Sequence, residues 1–228
     1  MKTDSRLETA MLLVIAAMFA AAAAVWPSAP DAIPVHWNVN GEVDRYGGRF
    51  EGLLLLPLAA LVIYLLMRYL PRIDPLRANY ARFSGAYTAI RAAVLALMAG
   101  IYGMVIAWVQ QKPVDMSKLV PAALGGLFLL LGSVLGKVKP NWFVGIRTPW
   151  TLSSARSWER THRLGGWLFM GLGLLFLLTG VFGLGSAGVG VFGAMLAVVV
   201  VLFVYSYFVW RADPEKQAPG APRRGDDV

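Results

Sequence analysis

The chain has no cysteine. That excludes disulfides, thiol nucleophiles, iron–sulfur clusters and cysteine zinc sites, and it leaves the redox compartment open. Histidine is scarce as well: among 228 residues only His36 and His162 occur. Charge is thin, with Asp, Glu, Lys and Arg making 15% of the chain against about 25% in soluble domains. Acids are outnumbered by bases, 13 to 21, which leaves a net charge of +8. No P-loop or dinucleotide fingerprint is present. Acyl-transfer catalysis needs a nucleophile, a base and an orienting acid in mutual reach, and the two histidines fall on opposite sides of the topology expected here. No enzyme is expected, and no cofactor.

What the chain has in excess is apolar sequence, 57% of its residues. A membrane span needs about 20 such residues in a row. Six stretches qualify: Leu7–Trp26, Leu53–Leu70, Ala92–Val109, Leu119–Gly136, Leu164–Gly183 and Val189–Trp210. None has a charge at its centre, which disfavours a pump or a proton-coupled carrier. No internal repeat supports an inverted-repeat transporter. The expectation is an all-α integral membrane protein, a bundle of six transmembrane helices. The first run is longer than a signal-peptide core, and Asp4 and Glu8 cancel Lys2 and Arg6, so a retained span is expected.

Charge placement orients the bundle. With the amino terminus in the cytoplasm, that side receives Lys2, Arg6, Arg68, Arg72, Arg77, Arg82, Arg91, the stretch from Lys137 to Arg163, and the tail from Arg211. The outer side receives Arg45, Arg49, Lys112 and Lys118. Positive residues favour cytoplasmic loops, so both termini are expected inside. The high net charge is then topology with attraction to anionic membrane lipids, and direct nucleic-acid binding is not expected. Arg91, about one and a half turns into the third helix, is expected to snorkel to the interface.

One sizeable outer segment is predicted, residues 27–52, within a membrane hairpin of residues 1–70. Alternation of apolar and polar residues runs up to Asn40-Gly41, a type I′ turn signal. Strands are expected at Val35–Val39 and Glu42–Tyr46, with Trp37 facing Asp44 and His36 facing Arg45. A lone hairpin is marginal in water, so it should rest on helix ends. His36, Trp37, Asn38, Asn40, Gly41, Glu42 and Asp44 are the candidate recognition residues of this short extracytoplasmic hairpin. His36, Glu42 and Asp44 also form a weak metal constellation. A closed metal site normally takes four ligands, so hydrogen bonding within the hairpin is the expected role.

Residues 71–211 make the remaining four-helix region, with a cytoplasmic motif at 137–165, and residues 212–228 read as a disordered tail. Gly132-xxx-Gly136 and Ala96-xxx-Gly100 offer close helix approach within one bundle, and span five carries Gly171, Gly173, Gly180 and Gly183. The motif is the most informative stretch. It and its flank hold Trp142, Trp150, Trp158 and Trp167, half of the eight tryptophans, among six bases and one acid, Glu159. Thr148-Pro149 forces an extended residue, and Ser153 or Ser154 is the expected N-cap of a helix from Ala155. On that helix Trp158, His162 and Gly165 share one face. Arg156, Arg160 and Arg163 line another, with Glu159 placed to pair with Arg163. An amphipathic interfacial helix and a partner-docking surface are both open from these residues.

The run Lys139-Pro140-Asn141-Trp142-Phe143-Val144-Gly145-Ile146-Arg147-Thr148-Pro149-Trp150-Thr151-Leu152-Ser153, with Trp158 and Thr161-His162-Arg163-Leu164-Gly165-Gly166 beyond it, resembles the SdpI family of bacterial membrane proteins. Ile33-Pro34-Val35-His36-Trp37-Asn38 with Asn40-Gly41-Glu42-Val43-Asp44 looks like the small uncharacterised domain that commonly precedes the SdpI region. The resemblance implies a multi-pass protein of the bacterial cytoplasmic (inner) membrane that gives immunity to a secreted antimicrobial peptide toxin. For the family's namesake it also implies signalling, by recruitment of a cytoplasmic repressor protein. Arg156 stands where an acid is common in the family. Asn141, Gly145, Arg147, Thr148, Pro149, Trp150, Trp158, His162 and Gly165 become the candidate signalling motif. A different class stays open: an envelope-stress or lipid-interacting membrane protein without a toxin ligand.

Overall fold

The computed structural model describes residues 5–38, 41–112, 114–184 and 188–217. Helix α1 spans Ser5–Val25, and a short 3-10 turn leads to strands β1 (Ile33–Trp37) and β2 (Val43–Gly47). Then come α2 (Arg49–Ile73), a 3-10 segment at Arg77–Phe83, α3 (Ser84–Val109) and α4 (Met116–Leu135). The short α5 (Pro149–Leu152) precedes α6 (Ala155–Phe182) and α7 (Gly188–Arg211). Six of the helices are long and apolar enough to cross a membrane. The protein is a six-span helical bundle with a two-stranded hairpin between α1 and α2.

Polar contacts between helix ends define two faces. The start of α1 meets the end of α2 and the start of α3 through Glu8, Tyr64 and Arg91. Asp74, Tyr80 and Asn141 join the loops after α2 and α4. Ser154 before α6 meets Asp213 after α7. Both ends of the described chain therefore lie on the face that carries the motif, and the hairpin lies on the other.

Arg91 does not snorkel. Its side chain is 2% exposed, and its two terminal nitrogens donate to the Glu8 carboxylate at 2.6 and 3.1 Å. The Tyr64 hydroxyl donates to the same carboxylate at 2.7 Å, and Arg68 stands 3.6 Å from it. A bidentate counter-charge on a neighbouring helix pairs the two terminal nitrogens, though not the buried Nε, which weakens the reason to reach for the surface.

Glycine packing also departs from expectation. Nothing lies within 4 Å of a Cβ built at Gly100, so Ala96-xxx-Gly100 supports no contact here. The close approach is between α4 and α6 instead. A Cβ on Gly132 would sit 2.7 Å from the Gly166 carbonyl oxygen, and one on Gly173 would sit 2.6 Å from the Leu129 nitrogen. One on Gly180 would sit 2.5 Å from the Lys118 carbonyl oxygen. Gly166, Gly173 and Gly180 recur every seventh residue, so they line one seam along which two antiparallel backbones touch.

The hairpin pairs His36 with Arg45 as expected, but Trp37 faces Val43 rather than Asp44. The Asn38 amide donates to the Glu42 carbonyl at 2.8 Å, and the Gly41 amide donates to the Asn38 carbonyl at 2.9 Å. Those bonds close a three-residue loop instead of a two-residue turn, with Gly41 at φ +81°. Glu42 thereby leaves the strand, and β2 starts one residue later. Asn40 lies outside the described residues.

Candidate functional site

The motif begins where α4 ends and folds around two buried polar side chains. Asn141 is fully buried and uses both ends of its amide. Its oxygen accepts from the Phe143 and Val144 amides at 2.9 and 2.6 Å, and its nitrogen donates to the Lys139 and Val144 carbonyls at 2.9 and 2.8 Å. Asp74, from the preceding loop, accepts from the Trp142 amide at 3.0 Å and from the Tyr80 hydroxyl at 2.9 Å. Burial of polar atoms is costly unless each is paired, so these bonds specify one loop conformation.

His162 is the second anchor. It is fully buried and stacks on Trp158 with ring centroids 4.1 Å apart. Its Nε2 accepts from the Ile146 amide at 3.0 Å, and its Nδ1 faces the Trp158 carbonyl at 2.8 Å. An acceptor at Nε2 and a donor at Nδ1 define a neutral imidazole. Trp158 donates its indole N–H to the Val138 carbonyl at 2.9 Å. Gly145 adopts φ +116°, and a Cβ there would overlap His162 Nε2. Gly165 admits Ile146, whose Cδ1 stands 2.5 Å from the place a Cβ would take.

Thr148 starts α5 with a reciprocal capping box shared with Thr151, and its hydroxyl reaches Ser206 on α7 at 3.0 Å. Proline at the first helical position suits that cap. Ser154 caps α6 by accepting from the Ser157 amide at 2.9 Å. Trp150 packs edge-on against Phe203 and Tyr207 of α7, at 4.7 and 5.2 Å between centroids. Arg147 is exposed and donates to the Trp142 carbonyl at 2.5 Å.

The tail departs from its expected disorder over 212–217. Asp213 is 5% exposed and accepts from the Ser154 hydroxyl at 2.5 Å. The Gln217 amide donates to the Ser153 carbonyl at 3.1 Å. A carboxylate beside a helix amino terminus is favoured by the helix dipole, and this holds the strap down. Residues 218–228 lie outside the described residues.

The motif is thus mostly an interior. Asn141, Thr148, Trp158 and His162 face one another or the bundle, while Arg147, Pro149 and Trp142, the last 50% exposed, face outward. Residues 137–206 match the model of the SdpI/YfhL protein family. Over those residues the chain is similar to the SdpI/YfhL family. Residues 13–61, covering most of α1, the hairpin and the first half of α2, match a domain of unknown function (DUF1648). No curated protein and no solved structure matches the chain.

On the opposite face of the protein, His36 and Asp44 are 2.6 Å apart, and Glu42 turns away from them to accept from the Asn38 side chain at 2.9 Å. Arg45 pairs with Glu51 at 2.6 Å rather than with Asp44. Trp37 packs on the core formed by α1, α2 and α3. A Cβ on Gly41 would stand 2.7 Å from Ser117 Cβ, so the hairpin tip presses on the start of α4. There the Ser117 hydroxyl donates to Asp115 at 2.5 Å, which with Lys118 holds that carboxyl below its ordinary pKa.

Sequence reasoning did not select Glu8, Asp74, Tyr80, Thr151, Ser206 or Asp213. The available signals were an acid and a base, Glu8 and Arg91, at matching depth in apolar helices, and an Asp-Pro pair in a basic loop.

Proposed function

We propose that this protein is an SdpI-type immunity protein. It gives resistance to a secreted antimicrobial peptide toxin and reports the encounter to a cytoplasmic repressor protein. In this reading the hairpin face is extracytoplasmic, both termini are cytoplasmic, and the membrane is the bacterial inner membrane. The protein acts by binding, without catalysis, cofactor or direct nucleic-acid contact.

The observation that carries the reading is the continuous path between the two motifs. The hairpin tip bears on Ser117, the first turn of α4. Helix α4 then lies in backbone contact with α6 along the glycine seam, and the buried Trp158 and His162 of the motif sit on α6. A toxin that favours one position of the hairpin would bias one position of the α4–α6 pair, which is how a ligand shifts a two-state equilibrium. On the loop between α4 and α6, Trp142, Arg147 and Pro149 are exposed to a partner. The exposed arginines of α6 favour the second reading, a lipid-interacting protein without a toxin ligand.

Two measurements test the proposal. The chain lacks cysteine, so Asp31→Cys and Arg77→Cys each create a single labelling site. In intact cells an impermeant maleimide should label the first and spare the second. Expression in a toxin-sensitive strain, challenged with candidate peptides, should raise survival. Labelling at position 77 from outside would reverse the orientation. Unchanged survival across the peptides would favour the lipid reading.

A further inference from the structure

Helix α6 carries one exposed stripe that changes chemistry along its length. Arg156, Arg160, Arg163, Trp167, Leu174 and Leu178 are all exposed. At 3.6 residues per turn their positions fall within about 60° of one another around the helix. From the motif face inward the stripe therefore runs cationic, then aromatic, then aliphatic. Trp167 is 69% exposed and Leu174 is 52% exposed, so both are largely uncovered among the described residues.

The length of α6 sets the depth of each part. The helix has 28 residues, Ala155 to Phe182, whereas a hydrocarbon core needs about 20. Twenty residues counted back from Phe182 reach Arg163. The aliphatic part then lies in the hydrocarbon, Trp167 sits just inside its boundary, and the arginines project at headgroup level.

The charge there is only partly neutralised internally. Glu159 pairs with Arg163 at 3.3 Å, both side chains being exposed. Arg156 makes one long bond, 3.5 Å to the Ala212 carbonyl. Arg160 has no ion-pair partner among the described residues. A Cβ on Gly136 would be 3.9 Å from Arg163 Cα, so the end of α4, with exposed Lys137 next in the chain, adjoins the same spot. Of the other described acids on this face, Asp74 and Asp213 are buried in the motif and Glu8 is held by Arg91, while exposed Glu215 lies beside Arg156 at the start of α6, away from Arg160 and Arg163.

We propose that the α6 stripe is a binding site for an anionic phospholipid. Its phosphodiester and headgroup would sit on Arg160 and Arg163, its glycerol region on Trp167, and its acyl chain along Leu174 and Leu178. The apolar continuation of the stripe selects a bilayer lipid over a soluble phosphate, and guanidinium pairs with phosphate by parallel hydrogen bonds. The site is independent of whether a toxin is bound.

The test uses the full-length protein in nanodiscs containing equal phosphatidylglycerol and phosphatidylcholine, with retained lipid read by native mass spectrometry. Wild type should retain phosphatidylglycerol preferentially. Arg160→Gln and Arg163→Gln should each reduce that preference about five-fold, while Arg72→Gln, an equal charge change on α2, should not. Unchanged melting in pure phosphatidylcholine discs certifies folding of the variants, and the wild-type preference stands without them. Equal retention of the two lipids by wild type overturns the proposal. So does an equal loss in Arg72→Gln, which would make the effect one of general charge. Tighter binding of poly-glutamate than of phosphatidylglycerol would assign the stripe to an acidic protein instead.

Discussion

Glu8 of α1 and Arg91 of α3, 83 positions apart in the chain, meet as a two-point ion pair at 2.6 and 3.1 Å inside the bundle. The pair joins the first helix to the third at the motif face, and Tyr64 of α2 closes the set by donating to the same carboxylate. Three helices thus share one carboxylate.

Removing one partner strands the other. Arg91→Met or Glu8→Leu alone should lower stability by about 3–5 kcal/mol, whereas the double substitution should recover most of that loss. Thermal unfolding of purified protein in a neutral detergent reads the difference. A double variant as unstable as the sum of the singles would show that the pair is not coupled.

At the hairpin tip, Gly41→Val should open the outer segment to protease far more than Glu42→Ala. Gly41 has φ +81° and its missing Cβ faces Ser117 at 2.7 Å, so valine meets both backbone strain and a clash. Glu42 makes one exposed bond to the Asn38 side chain, a contact whose loss costs about 1 kcal/mol or less. Equal digestion of the two variants would contradict the three-residue loop.

The glycine seam is checked by a pair of substitutions two residues apart. Gly173→Leu should destabilise the protein by about 1–3 kcal/mol, the usual cost of overpacking. Its Cβ would meet the Leu129 amide nitrogen at 2.6 Å and the Gly125 carbonyl at 2.9 Å. Gly171 has nothing within 4 Å of its Cβ position, so Gly171→Leu should be near neutral. Unfolding midpoints that move together would place the α4–α6 contact elsewhere.

Arg147 separates architecture from recruitment. It is exposed and its one hydrogen bond goes to the Trp142 carbonyl, so Arg147→Lys should change stability by no more than about 1 kcal/mol and leave membrane abundance intact. Under the proposed function it should still impair partner recruitment, because lysine lacks the planar guanidinium fork that the exposed Arg147 can offer a partner. Fluorescence co-localisation of the partner and immunoblots of the membrane fraction, taken on one strain, read both quantities. Normal recruitment with lost toxin protection would reverse the roles of the two faces.

Much of this fold is legible in one dimension. Apolar runs long enough to span a bilayer mark the six helices, Ser154 marks the start of α6, and Gly41 marks the hairpin turn, because each depends on residues within a turn or two of itself. The motif's family resemblance was legible for the same reason: it is one contiguous run. What the motif does with its residues was less legible. Asn141 and His162 could be surface or interior by composition, and only the approach of the Asp74 loop and of Gly145 buries them.

The remaining decisions belong to tertiary structure. Trp37 moved to face Val43 because the loop is one residue longer, and an irregularity on either side of His36 keeps that residue opposite Arg45. Gly100 went unused while Gly132 and Gly173 carried the close approach, since a small residue matters only on the face that meets another helix. Arg91 chose Glu8 over the interface, and Asp213 came back to Ser154. The sequence by itself determined which segments enter the membrane and where they turn, because those follow from local hydrophobicity and backbone preference. Which face of each helix looks at which neighbour was decided only by packing, because a charge or a glycine acquires its partner from the rotation of two helices about their own axes.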